Sequence, residues 1–146
     1  MNIERPALSK PVTEFLVRCR GRGMLINNLW ENAHQTLACI DPATGLEHAR
    51  IGACGASEVD RAVYAARRAL PNWSATTPAA RARILWKIAE LIEQHIDELA
   101  ELETLDQGKP LAVGRWAEIP GAANQFRFFA GQAMAGAILS VTVTVN

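Results

Sequence analysis

The chain has 146 residues, fifteen basic and fifteen acidic side chains, 49% apolar residues and 21% charged ones. That is enough for one ordinary domain, which buries roughly 68–70% of the surface its unfolded form exposes, and the composition excludes a fibrous repeat or a disordered tract. Zero formal net charge removes the simplest case for a nucleic acid or an anionic membrane as partner.

Residues 1–23, "MNIERPALSKPVTEFLVRCRGRG", mix charges, glycines and two prolines and read as a leader, the least ordered part, with one helical turn around "VTEFLVR". They lack the continuous apolar core of a secretory signal, so no export signal is expected. Cys19, Cys39 and Cys54 are an odd number at spacings of 20 and 15 without a Cys-x-x-Cys pair. That pattern points to free thiols in a reducing, cytoplasmic compartment. Residues 130–145, the most apolar stretch, fall short of the roughly 20 apolar residues of a membrane span.

From residue 24, "MLINNLW", "TLACI" and "LEHARIG" read as short strands joined by turns, with "DPATG" supplying the turn chemistry. At Ser57 the period becomes helical. Ser57 is expected to cap the helix by accepting from the amide of Asp60. Ala62, Val63, Ala65, Ala66 and Ala69 form a small-residue helix able to lie close against a neighbour, and Pro71 is expected to end it. Thr77 and Pro78 supply an N-cap and a proline at the first helical position. Apolar residues then hold helical spacing from Ile84 to Leu105. One helix of that length would reach roughly 45 Å, so a break is expected near His95 with Asp97 opening the next helix.

"ELETLDQGKP" ends that segment: Gly108 sits where a left-handed cap is wanted, Lys109 complements the helix's negative end, and Pro110 starts the next helix. A further helical stretch runs from Pro110 to about Met134, bent at Pro120 and Gly121, with Trp116, Phe126, Phe128 and Phe129 expected in its core. "SVTVTVN" at the end alternates as a two-faced strand.

Residue chemistry alone supplies no reaction. His34, His48 and His95 are dispersed, and Ile92 stands where a Glu-x-x-His metal pair would need its glutamate. Cys54, in "GACGAS", invites a nucleophile reading with His48 as base, the ground for a cysteine hydrolase, against the plainer reading of a small apolar filler. The "GRG" at 21–23 lacks the strand, helix and third glycine of a dinucleotide fingerprint.

Several segments taken together resemble the N-terminal part of the NAD(P)-dependent aldehyde dehydrogenase superfamily. They are "LINNLW", "DPATG", "SEVDRAVYAARRAL", "RARILWKIAELIEQHIDELAELETLDQGKP" and "EIPGAANQFRFFAG", in the family's order over residues 24–131. The branch oxidising phenylacetaldehyde, betaine aldehyde and similar aldehydes is the one it looks most like. The resemblance implies an α/β family fold, with residues 24–146 forming the N-terminal portion of the cofactor-binding domain. This portion would be mainly helical, with a few short strands at its start and one at its end. It further implies oxidation of an aldehyde to a carboxylic acid with NAD or NADP, and a homo-oligomer. The catalytic cysteine, glutamate, asparagine and glycine-rich nucleotide turn belong to segments beyond Asn146, so no catalytic residue is assigned. Two lesser roles carry over. The Ile40 carbonyl and Asp106 match positions that hold a structural monovalent cation, Na or K, and Ala117 and Gly121 match the lining of the aldehyde access tunnel. After Gln132 the pattern fades, which leaves open a non-catalytic interaction module derived from the family.

Overall fold

The computed structural model describes residues 7–19 and 22–135, which are mostly helical with a few short strands. The leader holds more structure than one turn: helix α1 covers Lys10–Cys19 and buries Val12. Pro11 lies in its first turn, where a missing N–H costs nothing. Ser9 just ahead of α1 donates its backbone N–H and its hydroxyl to the Glu101 carboxylate, tying the helix to a distant element.

"MLINNLW" is a hairpin and not a single strand. Strand β1 (Arg22–Ile26) pairs antiparallel with β2 (Leu29–Asn32), Ile26 opposite Leu29. The two residues between them, Asn27 and Asn28, have φ of 53° and 62°. Positive φ at both central positions marks the mirror-image turn whose twist suits a two-residue hairpin, and asparagine tolerates it well. Strands β3 (Gln35–Ile40) and β4 (Glu47–Ala53) form a second antiparallel hairpin. The two hairpins touch at glycine: a Cβ on Gly52 would stand 2.7 Å from the Cα of Gly23. Gly23, from the "GRG" motif, therefore permits a close backbone approach.

Helix α2 spans Ala56–Ser74 with Gly55 as its N-cap. The Gly55 N–H donates to the Glu58 carboxylate at 2.9 Å, so Ser57 lies inside the first turn and the expected cap shifts by two residues. Pro71 does not end the helix. It removes one hydrogen bond in the last turn, and Ala75 N–H closes the turn on the Pro71 carbonyl at 3.1 Å. None of the described residues of α2 is buried, so among the described residues its alanines do not pack closely.

Helix α3 (Pro78–Gln94) begins as expected, with the Thr77 hydroxyl accepting from Ala80 N–H at 3.2 Å. His95 breaks the run and α4 covers Ile96–Gln107. Gly108 adopts φ of 76°, and its N–H donates to the Thr104 carbonyl at 2.9 Å. A short turn α5 (Leu111–Val113), a π turn (Gly114–Glu118) and α6 (Ile119–Ala135) follow. The expected bend at Pro120 and Gly121 lies one turn earlier: α6 runs through both residues, while Ile119 N–H reaches back five residues to the Gly114 carbonyl. Pro120 has no N–H to close an ordinary turn on Trp116, and the wider turn sits directly ahead of it.

The core among the described residues is small and rich in alanine, with Val12, Met24, Ile26 and Leu105 beside it. Ala82 and Ala89 of α3 and Ala123 and Ala130 of α6 are buried, each pair seven residues apart and therefore on one face. Methyl groups at this seam let the helices approach closely, and the bulky groups point elsewhere: Trp116 is 73% exposed, and Phe128 and Phe129 are exposed too. Of the four aromatics expected in the core only Phe126 is half-buried, and an alanine seam takes the place of the others. Arg127 of α6 closes its edge, with a bidentate pair to Glu93 and its guanidinium 5.4 Å from the Trp86 ring centre. The final "SVTVTVN" strand lies outside the described residues.

Candidate functional site

Two elements meet where the resemblance puts a cation. The "DPATG" turn after β3 is rigid. Asp41, 2% exposed, accepts from Ala43 N–H at 3.0 Å and the Thr44 hydroxyl at 2.7 Å, while Asp41 N–H donates to the Leu46 carbonyl at 2.9 Å. Its Pro42 ring lies against the α4 cap, for a Cβ on Gly108 would stand 2.9 Å from Pro42 Cγ. Ile40, the last residue of β3, sits opposite Glu47 at a register shift in the hairpin. Asp106, in the last turn of α4, has a side chain 72% exposed.

Cys39 and His48 share this junction. The nearest oxygen of Asp106 is 3.8 Å from His48 Nε2, beyond a hydrogen bond. The His48 side chain is only 9% exposed, and neither ring nitrogen has a hydrogen-bond partner among the described residues. Burial pushes the Cys39 thiol above its ordinary value, and the negative charges of Asp106 and Glu47 push it further. Its thiolate is therefore disfavoured, the reverse of an activated nucleophile. A carboxylate and a backbone carbonyl are hard oxygen donors of the kind Na or K takes. Among the described residues no three His, Cys, Asp or Glu side chains converge to hold a metal ion.

Cys54 is exposed just past the end of β4, six residues from His48. Extended chain separates such residues by about 20 Å. The Cys54–His48 pair is not assembled, and His48 instead faces Asp106 of α4, a proximity with no signal in the linear sequence.

The second candidate region is the π turn. Ala117 is half-buried within it, and Gly121 follows in the first turn of α6, where an added Cβ would meet nothing within 4 Å. The turn is pinned from α4. Arg115 pairs with Asp97 at 2.7 Å, and Lys109 reaches Glu103 at 3.0 Å and Glu118 at 3.3 Å. The hydrogen bond to Glu103, with Glu118 behind it, raises the Lys109 pKa from its ordinary value. Gly114 packs on Ala100, where a side chain would collide at 3.0 Å. Acidic side chains of α4 are thus paired with basic ones of the segment that follows it.

Comparison with known proteins fits this arrangement. A sequence model described as "Aldehyde dehydrogenase family" matches residues 30–143. The 2-aminomuconic semialdehyde dehydrogenase of Homo sapiens is 44% identical over 94 residues, covering 64% of this chain and 19% of that protein. Betaine aldehyde dehydrogenase 1 of Rhizobium meliloti is 46% identical over 103 residues, 70% of this chain and 21% of that protein. Among solved structures, PnpE in complex with nicotinamide adenine dinucleotide superposes with a TM-score of 0.76 at 37% identity, over 84% of this chain and 26% of that one. An aldehyde dehydrogenase from Bacillus cereus, a G224D mutant, gives a TM-score of 0.83 at 34% identity, over 100% of this chain and 29% of that one. The chain therefore spans about a fifth of the length of the curated relatives it matches. Among the described residues no helix is long and apolar enough to cross a membrane. The match covers most of the chain, its helices and hairpins superpose on solved members, and the chain belongs to the aldehyde dehydrogenase family.

Proposed function

We propose that these residues are the N-terminal part of an NAD(P)-dependent aldehyde dehydrogenase, which oxidises an aldehyde to a carboxylic acid in a longer polypeptide. The observation that carries this reading is the family match over residues 30–143, in a chain whose matched stretch spans about a fifth of the length of its curated relatives. When bound, NAD or NADP accepts the hydride. This chain's own share is structural: the rigid turn after Ile40 with Asp106 holds a Na or K ion, and Ala117 and Gly121 line an open wall of the aldehyde tunnel. Betaine aldehyde and phenylacetaldehyde are the substrates to try first. The complete protein is a cytoplasmic homo-oligomer.

On this reading residues 1–146 alone do not turn over aldehyde. The perturbed thiol, Cys39, is shifted away from its reactive form. The test incubates the purified chain with either aldehyde and NAD or NADP and follows reduced cofactor by absorbance. Steady aldehyde-dependent reduction would overturn the reading. An intact mass several times 15.9 kDa for the protein from its source would support it. The second reading, a non-catalytic interaction module, draws on the exposed apolar surface; a natural mass of 15.9 kDa with a cooperative melt and no self-association would favour it.

A further inference from the structure

A lysine just past a helix end ordinarily offers its charge to the negative pole of that helix. Lys109 instead bridges two carboxylates on separate elements, Glu103 of α4 at 3.0 Å and Glu118, the last residue of the π turn, at 3.3 Å. The Lys109 and Glu103 side chains are only 24% and 19% exposed. Glu103 Oε1 also accepts from the Gln107 amide at 2.7 Å, while Oε2 is buried with no hydrogen-bond partner among the described residues. Without the ammonium Glu103 would keep a largely buried charge facing one neutral donor, so the bridge resists opening. The other link across this gap, Arg115 to Asp97, is more exposed, and solvent screens it.

The bridge holds a turn that has a choice of winding. Ile119 N–H bonds to the Gly114 carbonyl, whereas an ordinary α turn would bring it to Arg115. Rewinding removes one residue of rotation, about 100°, so the chain before the turn and the chain after it would change their relative facing. Both ends of the turn are fixed to α4. Gly114 packs on Ala100 at the start, and Lys109 ties Glu118 at the finish. Ala117 lies inside this turn and Gly121 just after it, so the wall they form depends on which winding is kept. Resting on the reading above that these two residues line the aldehyde's path, we infer that Lys109 is a positioning residue for that path. By bridging Glu103 and Glu118 it keeps the π winding and sets how wide an aldehyde the wall admits. It acts through the turn and not on the reacting carbonyl.

The test has two parts. In the 146-residue chain, hydrogen exchange at the Ile119 amide reads the winding. Lys109→Met should speed it about tenfold, and Lys109→Arg should keep it slow. Glu118→Gln should speed it as well, with no further gain when combined with Lys109→Met. Should Lys109→Met not fold, Glu118→Gln decides alone. Unchanged Ile119 exchange overturns the inference whatever the standing of the family reading. The second part uses a full-length chimera in which residues 30–143 replace the corresponding segment of the Rhizobium meliloti betaine aldehyde dehydrogenase 1. There Glu118→Gln and Lys109→Met should raise KM for betaine aldehyde about fivefold relative to KM for the smaller acetaldehyde, with kcat held within about twofold. A lower melting temperature with an unchanged KM ratio is what a merely structural role gives, and it overturns the positioning role. A chimera that is inactive beside an active parent enzyme overturns the family reading and the path with it, while the Ile119 amide still judges the winding.

Discussion

His48 is the residue least suited to its surroundings. Its ring is buried, neither nitrogen has a hydrogen-bond partner among the described residues, and the Asp106 carboxylate stays 3.8 Å away. A buried polar group without a partner costs about 1–3 kcal/mol, and an apolar side chain of similar size removes that cost. Asp106 loses nothing, being largely solvated. His48→Leu is therefore expected to stabilise the chain by about 1 kcal/mol, read as a higher urea midpoint with an unchanged slope. Gly108 is the opposite case. Its left-handed φ of 76° disfavours any side chain, and a Cβ would press on Pro42 at 2.9 Å. Gly108→Ala is expected to destabilise by about 1–2 kcal/mol, measured in the same way. The left-handed conformation was legible in "DQGKP"; the Pro42 contact was not, because the two residues lie on different elements.

At the scale of elements, the α3–α6 pair carries the packing. The alanine seam is narrow, and the Glu93–Arg127 pair borders it. The Arg127 hydrogen bonds hold the Glu93 carboxyl below its ordinary value. A carboxylate whose folded pKa is depressed contributes stability above its unfolded value, about 4.3 for glutamate, and loses it as pH falls through the folded value. Thermal melts between about pH 6 and pH 3 should therefore show a drop below pH 4.3 that is shallower in Glu93→Gln. Equal slopes for the two proteins would show that the pair contributes nothing to folding. The seam also shows where periodicity misleads. Helical spacing identified α3 and α6, but spacing does not tell a side chain facing a neighbour from one facing water. Small residues won the interior because they allow the closest approach of two backbones.

Among the described residues, Val, Leu, Trp and Phe side chains on α2, β2, β3 and α6 are exposed. Patches of this kind mark surfaces meant to be covered. The purified chain should therefore self-associate. Sedimentation velocity is expected to show an average mass that climbs with concentration above 15.9 kDa, and a constant 15.9 kDa would count against an unfinished surface.

The sequence by itself determined what is settled within a few residues. Thr77 caps α3, His95 breaks the long helical run, Gly108 ends α4, and "DPATG" turns β3 into β4. Each depends on local hydrogen bonds or on a permitted φ, and the order of such signals also carried the family resemblance. Tertiary structure decided the rest: that "MLINNLW" folds back at Asn27 and Asn28, that Pro71 sits inside α2, that His48 meets Asp106, and that Phe128 and Phe129 of α6 face outward. The hairpin had a signal in its paired asparagines. The others had none, because burial is a property of two surfaces in contact and a sequence pattern describes only one of them at a time.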